Sequence, residues 1–254
     1  MPCAATVIRY TFLSLIVAAG AAYAAPDSGA LPAYITGALA DSGRPPEDTA
    51  RDADRKPGET LAFAGVKPGM SVLELAPGKG YYTRLLSAAV GPTGKVYSVS
   101  SPPKPGASPP AVQTIAADPH YSNVTPIVKK TTAEPLVVPE KVDLAWTSQN
   151  YHDFHNIPDT DVATINKRVF DALKPGGIYL VLDHSAEAGS GARDTHTLHR
   201  IDEDTVKQEV EAAGFKFVGE SNILRNKADP RTAKVFDPSI QGHTDQFILR
   251  FSKP

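Results

Sequence analysis

The chain has 254 residues, 26 lysines and arginines against 28 aspartates and glutamates, a net charge of −2, and a single cysteine, Cys3. That length carries one domain with its own core plus extensions. With no basic tract beyond the pair Lys129-Lys130, the charge pattern excludes a nucleic-acid grip, and a lone cysteine excludes a disulfide framework or a cysteine-built metal centre.

Residues 1–9 carry one basic side chain, Arg9, and 10–22 are almost wholly apolar. Ala22-Tyr23-Ala24 then offers small residues at the positions a signal peptidase reads. An apolar run of about 13 residues is short of the ~20 needed for a mature span. Residues 1–24 are therefore expected to be a cleaved secretory signal, leaving a product in the periplasm or outside the cell. No later stretch is apolar enough to anchor that product in a membrane.

Residues 25–64 are expected to form a helical cap. Leu31-Pro32-Ala33 opens one short helix, Pro45-Pro46-Glu47-Asp48 a second and Pro57-Gly58-Glu59 a third; proline and acids suit a helix start. From residue 65 the pattern becomes an α/β domain. Strands are expected over 71–75, 95–99, 124–128, 142–146, 177–182, 215–219 and 246–251. Helices are expected over 81–90, 110–118, 162–173 and 202–213. Strands alternating with crossover helices predict a mostly parallel seven-stranded sheet with helices on both faces.

The first strand runs into Glu74-Leu75-Ala76-Pro77-Gly78-Lys79-Gly80-Tyr81, which opens a helix. Gly78 and Gly80 permit a sharp turn and close approach of a ligand to the backbone, and the first N–H groups of the helix face what binds there. Ligands of open α/β sheets sit at such strand ends. The spacing is not that of a phosphate-binding P-loop, since Gly80 rather than Ser or Thr follows Lys79. A purely structural strand-to-helix turn is the competing reading.

Residues 72–80 resemble the first motif of the class I S-adenosylmethionine-dependent methyltransferases, with Glu74, Gly78 and Gly80 in place and Ala76 standing for the first glycine. Leu173-Lys174-Pro175-Gly176-Gly177 is similar to the family's turn before the fifth strand. More narrowly, four strings resemble a bacterial group of predicted exported methyltransferase-like proteins: Arg51-Asp52-Ala53-Asp54-Arg55-Lys56-Pro57, Gln149-Asn150-Tyr151-His152-Asp153, Leu198-His199-Arg200-Ile201-Asp202 and Thr244-Asp245-Gln246-Phe247. The resemblance implies a Rossmann-like methyltransferase fold and S-adenosylmethionine as cofactor. It implies a cofactor site at Glu74, Ala76, Pro77, Gly78, Gly80 and Tyr81, with Asn150 nearby. The acid that in the family ends the second strand and takes the ribose hydroxyls is replaced by Ser100, which makes one weaker hydrogen bond. The acid after the third strand is absent too; Lys129, Lys130 and Thr131 occupy that stretch. Each lost charged hydrogen bond costs about 1.5–3 kcal/mol, so weak cofactor affinity is expected.

Tyr151 and His152 follow the fourth strand, where active sites of parallel sheets lie. His152 is the candidate base, and Tyr151 the candidate wall or orienting hydroxyl. Asp183 and His184 end the fifth strand and complete the candidate catalytic set. His196, His199, Arg200 and Asp202 follow a glycine-containing stretch. No H-x-x-x-H spacing is present, so no metal is expected; His199-Arg200 instead suggests a hold on an anionic substrate group. Methyl transfer to a small molecule is the leading reading. A non-catalytic ligand- or protein-binding module on the same fold is the alternative, and a hydrolytic or metal-dependent enzyme a third.

Overall fold

The computed structural model describes Met1 and residues 30–129, 136, 138–158 and 161–254. The expected signal at 1–24, apart from Met1, and Lys130 and Thr131 lie outside the described residues. Among the described residues, no helix is long and apolar enough to cross a membrane.

Four short helices open the described chain: α1 (Ala33–Leu39), α2 (Pro46–Thr49), α3 (Asp52–Arg55) and α4 (Pro57–Ala64). The third was not expected; its sequence, Asp-Ala-Asp-Arg, has no apolar period to reveal it. Then come β1 (Ser71–Leu75), α5 (Tyr81–Val90), β2 (Lys95–Ser100), α6 (Ala111–Ala117), β3 (Val124–Val128), β4 (Val142–Ser148), α7 (Tyr151–Phe154), α8 (Val162–Ala172), β5 (Leu173–His184), α9 (Glu203–Ala212), β6 (Lys216–Ser221) and β7 (Gln246–Ser252).

The strands form one seven-stranded sheet in the order β3-β2-β1-β4-β5-β7-β6. The first five are parallel, and β7 runs antiparallel to both β5 and β6. The strand order reverses between β1 and β4, which is where a crevice opens in such sheets. β5 is longer than expected. Leu173 pairs with Val142, and at the far end Asp183 and His184 pair with Phe247 and Gln246. The partner strands thus extend a ladder that the Lys174-Pro175-Gly176 turn signal cut short in the sequence.

Alternate residues of each strand feed two cores, as the pleat requires. Val72, Val96, Leu144, Trp146, Leu180 and Ile248 pack beneath α1, α4, α5 and α6. Leu73, Leu75, Tyr97, Ala145, Val181 and Leu249 pack beneath α7, α8 and α9. Each large apolar side chain fully withdrawn from water contributes about 1.5–3 kcal/mol, so the sheet is fixed firmly enough to aim the loops at its C-terminal edge. The opening helices pack on α5, and Arg84 of α5 reaches back to Asp48 at 2.9 Å.

Candidate functional site

The turn after β1 is strained where it matters. Ala76 holds φ +50, a left-handed value rare outside glycine, and Gly80 holds φ +83. A Cβ on Gly80 would stand 2.1 Å from Ile115 Cδ1, which would have to shift, and the φ of +83 strains any other residue there. The turn encloses a cavity of about 40 Å³ lined by Arg55, Glu74, Leu75, Ala76, Pro77, Tyr81, Tyr82, Trp146, Ser148 and Asn150. A larger depression of about 400 Å³ lies near Tyr34, Asp41 and His120 and the C-terminal end of α5. Its lining holds no residue from the C-terminal end of a strand, and its polar groups, the His120–Asp41 and Ser87–Asn123 pairs, already satisfy one another. The smaller cavity sits at the switch point, where the sheet exposes strand ends to a ligand.

Several expected residues line this cavity, yet not all are free to act. Asn150 donates from Nδ2 to Ala76 O and Ser148 O, each at 3.0 Å, and its Oδ1 accepts from Thr147. Its amide staples the ends of β1 and β4 together while the residue lines the cavity. Tyr81 donates its hydroxyl to Asp52 Oδ1 at 2.7 Å and presents its ring to Arg55, 4.4 Å away; it fastens α3 over the turn. Ser100 ends β2 with its Oγ buried and without a hydrogen-bond partner. Trp146 Nε1 and Ser148 Oγ, both buried, likewise lack partners. Buried polar atoms left unpaired are costly, so Trp146 Nε1 and Ser148 Oγ, whose residues line the cavity, mark where a polar ligand would be held, whereas Ser100 is not in that lining.

Tyr151 is corrected outright. It is fully buried, and its hydroxyl donates to Glu209 of α9 at 3.0 Å while accepting from Asn166 of α8 at 2.7 Å. The ring belongs to the core beneath α8 and α9, not to the crevice. Arg200 is corrected as well. It is fully buried and spends its guanidinium on Asp229, Ser185 O and Ala233 O, so no substrate anion can reach it.

Arg55 was missed as a site residue. Its guanidinium lies over Tyr81 and Tyr82, at 4.4 and 5.1 Å from the ring centroids, and Nη2 donates to Gln149 Oε1. Burial depresses its pKa, with the neighbouring Arg51 adding to the depression and Tyr82 opposing it. No carboxylate among the described residues forms an ion pair with it. Gln149 passes the contact on to Gln246 Oε1 at 2.9 Å, and Thr244 Oγ1 meets His184 Nδ1 at 2.7 Å. Three of the four quoted strings therefore meet where the C-terminal ends of β4 and β5 lie beside the start of β7. The only sequence signal for Arg55 was its place in the first of those strings.

Glu74 is 2% exposed, and its Oε2 accepts from Thr83 at 2.6 Å and Ser98 at 2.7 Å. Burial pushes its carboxyl up to about 7 against the pull of those hydroxyls and of Arg84. A carboxyl raised on folding adds stability below its unfolded pKa and loses it as pH rises through the folded value. Between pH 5 and 8 the loss amounts to roughly 2–3 kcal/mol. Glu74→Gln keeps an oxygen acceptor for both hydroxyls but does not ionise. The unfolding free energy of the variant relative to wild type should therefore rise by roughly that amount from pH 5 to pH 8; urea titrations giving a pH-independent difference would contradict the placement of this charge.

His152, 3% exposed, is held by Asp183, which is fully buried. Asp183 accepts from His152 Nδ1 at 2.8 Å, from the His152 main-chain N–H at 2.8 Å and from the His184 N–H at 2.7 Å. Burial would depress the His152 pKa, but the Asp183 carboxylate outweighs it and the net shift is upward. Burial would raise Asp183, yet the His152 charge and hydrogen bonds bring it below its ordinary value. A carboxylate can only accept, so in the neutral ring Nδ1 carries the proton and Nε2 presents the lone pair. His184 is different: burial pushes its pKa down to about 3, so it stays neutral and serves as a hydrogen-bonding partner of Thr244. His196 is exposed, whereas His199 packs edge-on against His152, ring centroids 5.4 Å apart.

No family model matches the chain. The ubiquinone/menaquinone biosynthesis C-methyltransferase UbiE of Shewanella halifaxensis (strain HAW-EB4) is 27% identical over 199 residues, which span 65% of this chain and 73% of that protein. A SAM-dependent methyltransferase of Aquifex aeolicus superposes with a TM-score of 0.56 at 18% identity, over 82% of this chain and 95% of its own. The fold is that of the class I S-adenosylmethionine-dependent methyltransferases. The [4+2]-cyclase SpnF superposes with a TM-score of 0.59 at 17% identity, over 87% of this chain and 91% of its own. A fold shared with a protein named as a cyclase does not by itself give the reaction; that has to come from the site.

Proposed function

We propose that the chain binds S-adenosylmethionine in the cavity behind the glycine turn and transfers its methyl group to a small acceptor at the ends of β4 and β5. The observation that carries this reading is Arg55, a desolvated guanidinium in the cavity wall with no carboxylate paired to it among the described residues. The cofactor's carboxylate is the anion it lacks. The unpaired Trp146 Nε1 and Ser148 Oγ in the cavity lining fit the polar remainder of such a ligand. The 27% identity to a C-methyltransferase supports the same reading.

Bound there, the cofactor supplies a sulfonium methyl already activated for attack. The protein's tasks are to align a nucleophile with it and to accept a proton where the nucleophile carries one. Glu74 fixes the turn through Thr83 and Ser98, and His152 Nε2 is the lone pair that receives the proton. A ligand of this size needs a few hundred Å³, against about 40 Å³ in this structure. Binding therefore requires the cavity to widen around the Arg55 guanidinium.

Calorimetric titration with S-adenosylmethionine and S-adenosylhomocysteine tests the proposal. Both should bind, and Arg55→Ala should weaken each about 10- to 150-fold, the equivalent of one charged hydrogen bond of about 1.5–3 kcal/mol. Absence of binding by either at millimolar concentration would overturn the reading.

A further inference from the structure

A second arrangement lies beside the proton-accepting lone pair and is not needed to hold the cofactor. His152 Nε2 stands 3.4 Å from Asp153 Oδ1, and His199 Nδ1 stands 3.7 Å from the same oxygen. The three ligand atoms lie within 4.8 Å of one another. Bonds of about 2.0–2.1 Å to a tetrahedral zinc put neighbouring ligand atoms about 3.3 Å apart, so small side-chain movements bring this trio onto one ion.

We infer that His152, Asp153 and His199 form a three-ligand site for a divalent transition-metal ion of the zinc type, with a further coordination position open to water or to an oxygen of the acceptor. Two imidazoles and one carboxylate are the donor set of open, catalytic zinc sites rather than closed structural ones. The outer shell fits too. Metal-bound histidines almost always pass their other ring N–H to a carboxylate, and Asp183 takes His152 Nδ1 at 2.8 Å, leaving Nε2 as the ligand atom. His199 is fixed from behind: the next residue, Arg200, is fully buried, and Leu198 O accepts from Val235 N at 3.2 Å. Phe236 covers its ring, with centroids 5.1 Å apart. Imidazole ligands favour zinc, cobalt, nickel or iron over magnesium and calcium.

The cation site stands on this geometry alone; its part in catalysis rests on the methyl-transfer reading. An ion on Nε2 takes the lone pair that would receive the acceptor's proton. Its positive charge would then lower the pKa of a bound acceptor hydroxyl, whose proton leaves to solvent water; the oxyanion attacks the sulfonium methyl, the S–CH3 bond breaks and S-adenosylhomocysteine leaves.

The test uses the chain purified without a histidine tag, stripped with a chelator and titrated with Co²⁺ while its visible absorption is followed. A saturable band at one ion per chain is expected, displaced by Zn²⁺ but not by excess Mg²⁺. His199→Ala and Asp153→Asn should each weaken Co²⁺ binding at least tenfold. Asp183→Asn, acting through His152, should weaken it about 10- to 100-fold. Melting curves in chelator serve as the folding control, and His199 and Asp153, neither of them buried, should leave these unchanged. No Co²⁺ or Zn²⁺ binding at micromolar concentration, or equal binding by the His199 and Asp153 variants, would overturn the site. Cofactor titration in chelator separates the two proposals. Metal binding without cofactor binding keeps the cation site and removes methyl transfer, and cofactor binding without metal binding does the reverse.

Discussion

Replacing Arg200 with alanine is expected to destabilise the chain by about 3–5 kcal/mol, which for this size lowers Tm by roughly 6–20 °C. Arg200 and the Asp229 side chain are both fully buried and meet at 2.8 and 3.2 Å. Arg200 also donates to Ser185 O at 3.0 Å and Ala233 O at 2.9 Å, and Asp229 accepts the main-chain N–H groups of Arg231 and Asp245. Truncating the arginine strands a carboxylate and two carbonyls away from water. Replacing both partners by apolar groups would be milder, because the large cost lies in the uncompensated charge rather than in the worth of the pair. Arg193, exposed beside Glu187 and Asp194, is the control: its alanine variant should melt like wild type. Burial acts to raise the Asp229 pKa, but the Arg200 and backbone hydrogen bonds prevail and hold it below the ordinary value. A lowered carboxyl contributes stability above its unfolded pKa and loses it as pH falls through the folded value. The gap between wild type and Arg200→Ala should accordingly narrow in acid. Urea or thermal unfolding near pH 7 reads the effect, and a change no larger than that of the Arg193 variant would show that Arg200 does not hold the 222–245 segment to the end of β5.

The centre of the sheet was legible because its strands are buried on both faces and read as continuous apolar runs between turn signals; β1 falls where the sequence places it, as do α5 and the half-buried edge strand β3. The glycine turn was legible for a similar reason, since only a backbone obligation explains Gly78 and Gly80 together. Side-chain direction was not. Tyr151 and His152 are neighbours on the one-turn helix α7, where consecutive residues point about 100° apart, so one entered the core and the other the crevice. Asn150 was placed correctly at the cavity, but spacing cannot tell a ligand contact from a staple between two strand ends. Arg55 hid in a string of charges whose bland reading is a solvated surface. The His152, Asp153 and His199 trio was illegible because its third member comes from a loop that nears α7 only after β5 and the loop beyond it are in place. Local spacing rules detect ligands on one element, and this trio is assembled by tertiary structure.

His152→Ala is expected to lower the rate of methyl transfer about 10²- to 10⁴-fold, the usual worth of a positioned proton acceptor, while leaving S-adenosylmethionine affinity close to that of wild type. The separation follows from the geometry. Arg55, Trp146 and Ser148 line the cavity proposed for the cofactor, whereas His152 follows Asn150 at the start of α7 and is bonded to Asp183 of β5. Loss of the ring removes the Nε2 lone pair from either use, as proton acceptor or as metal ligand, so the rate should fall by both routes. Asp183 is a positioning residue and should behave differently. Asp183→Asn keeps the ring but can turn an N–H toward Nδ1, which reverses the tautomer and withdraws the lone pair from Nε2. Its turnover should fall with KM for the cofactor little changed. The ring deleted in His152→Ala leaves a hole beside Asp183, and added imidazole should restore part of the lost rate there but none in Asp183→Asn. Single-turnover assays with an acceptor that wild type methylates, run with and without imidazole, read all three outcomes. A His152→Ala enzyme as fast as wild type would remove this residue from the chemistry and leave the dyad a buried structural pair.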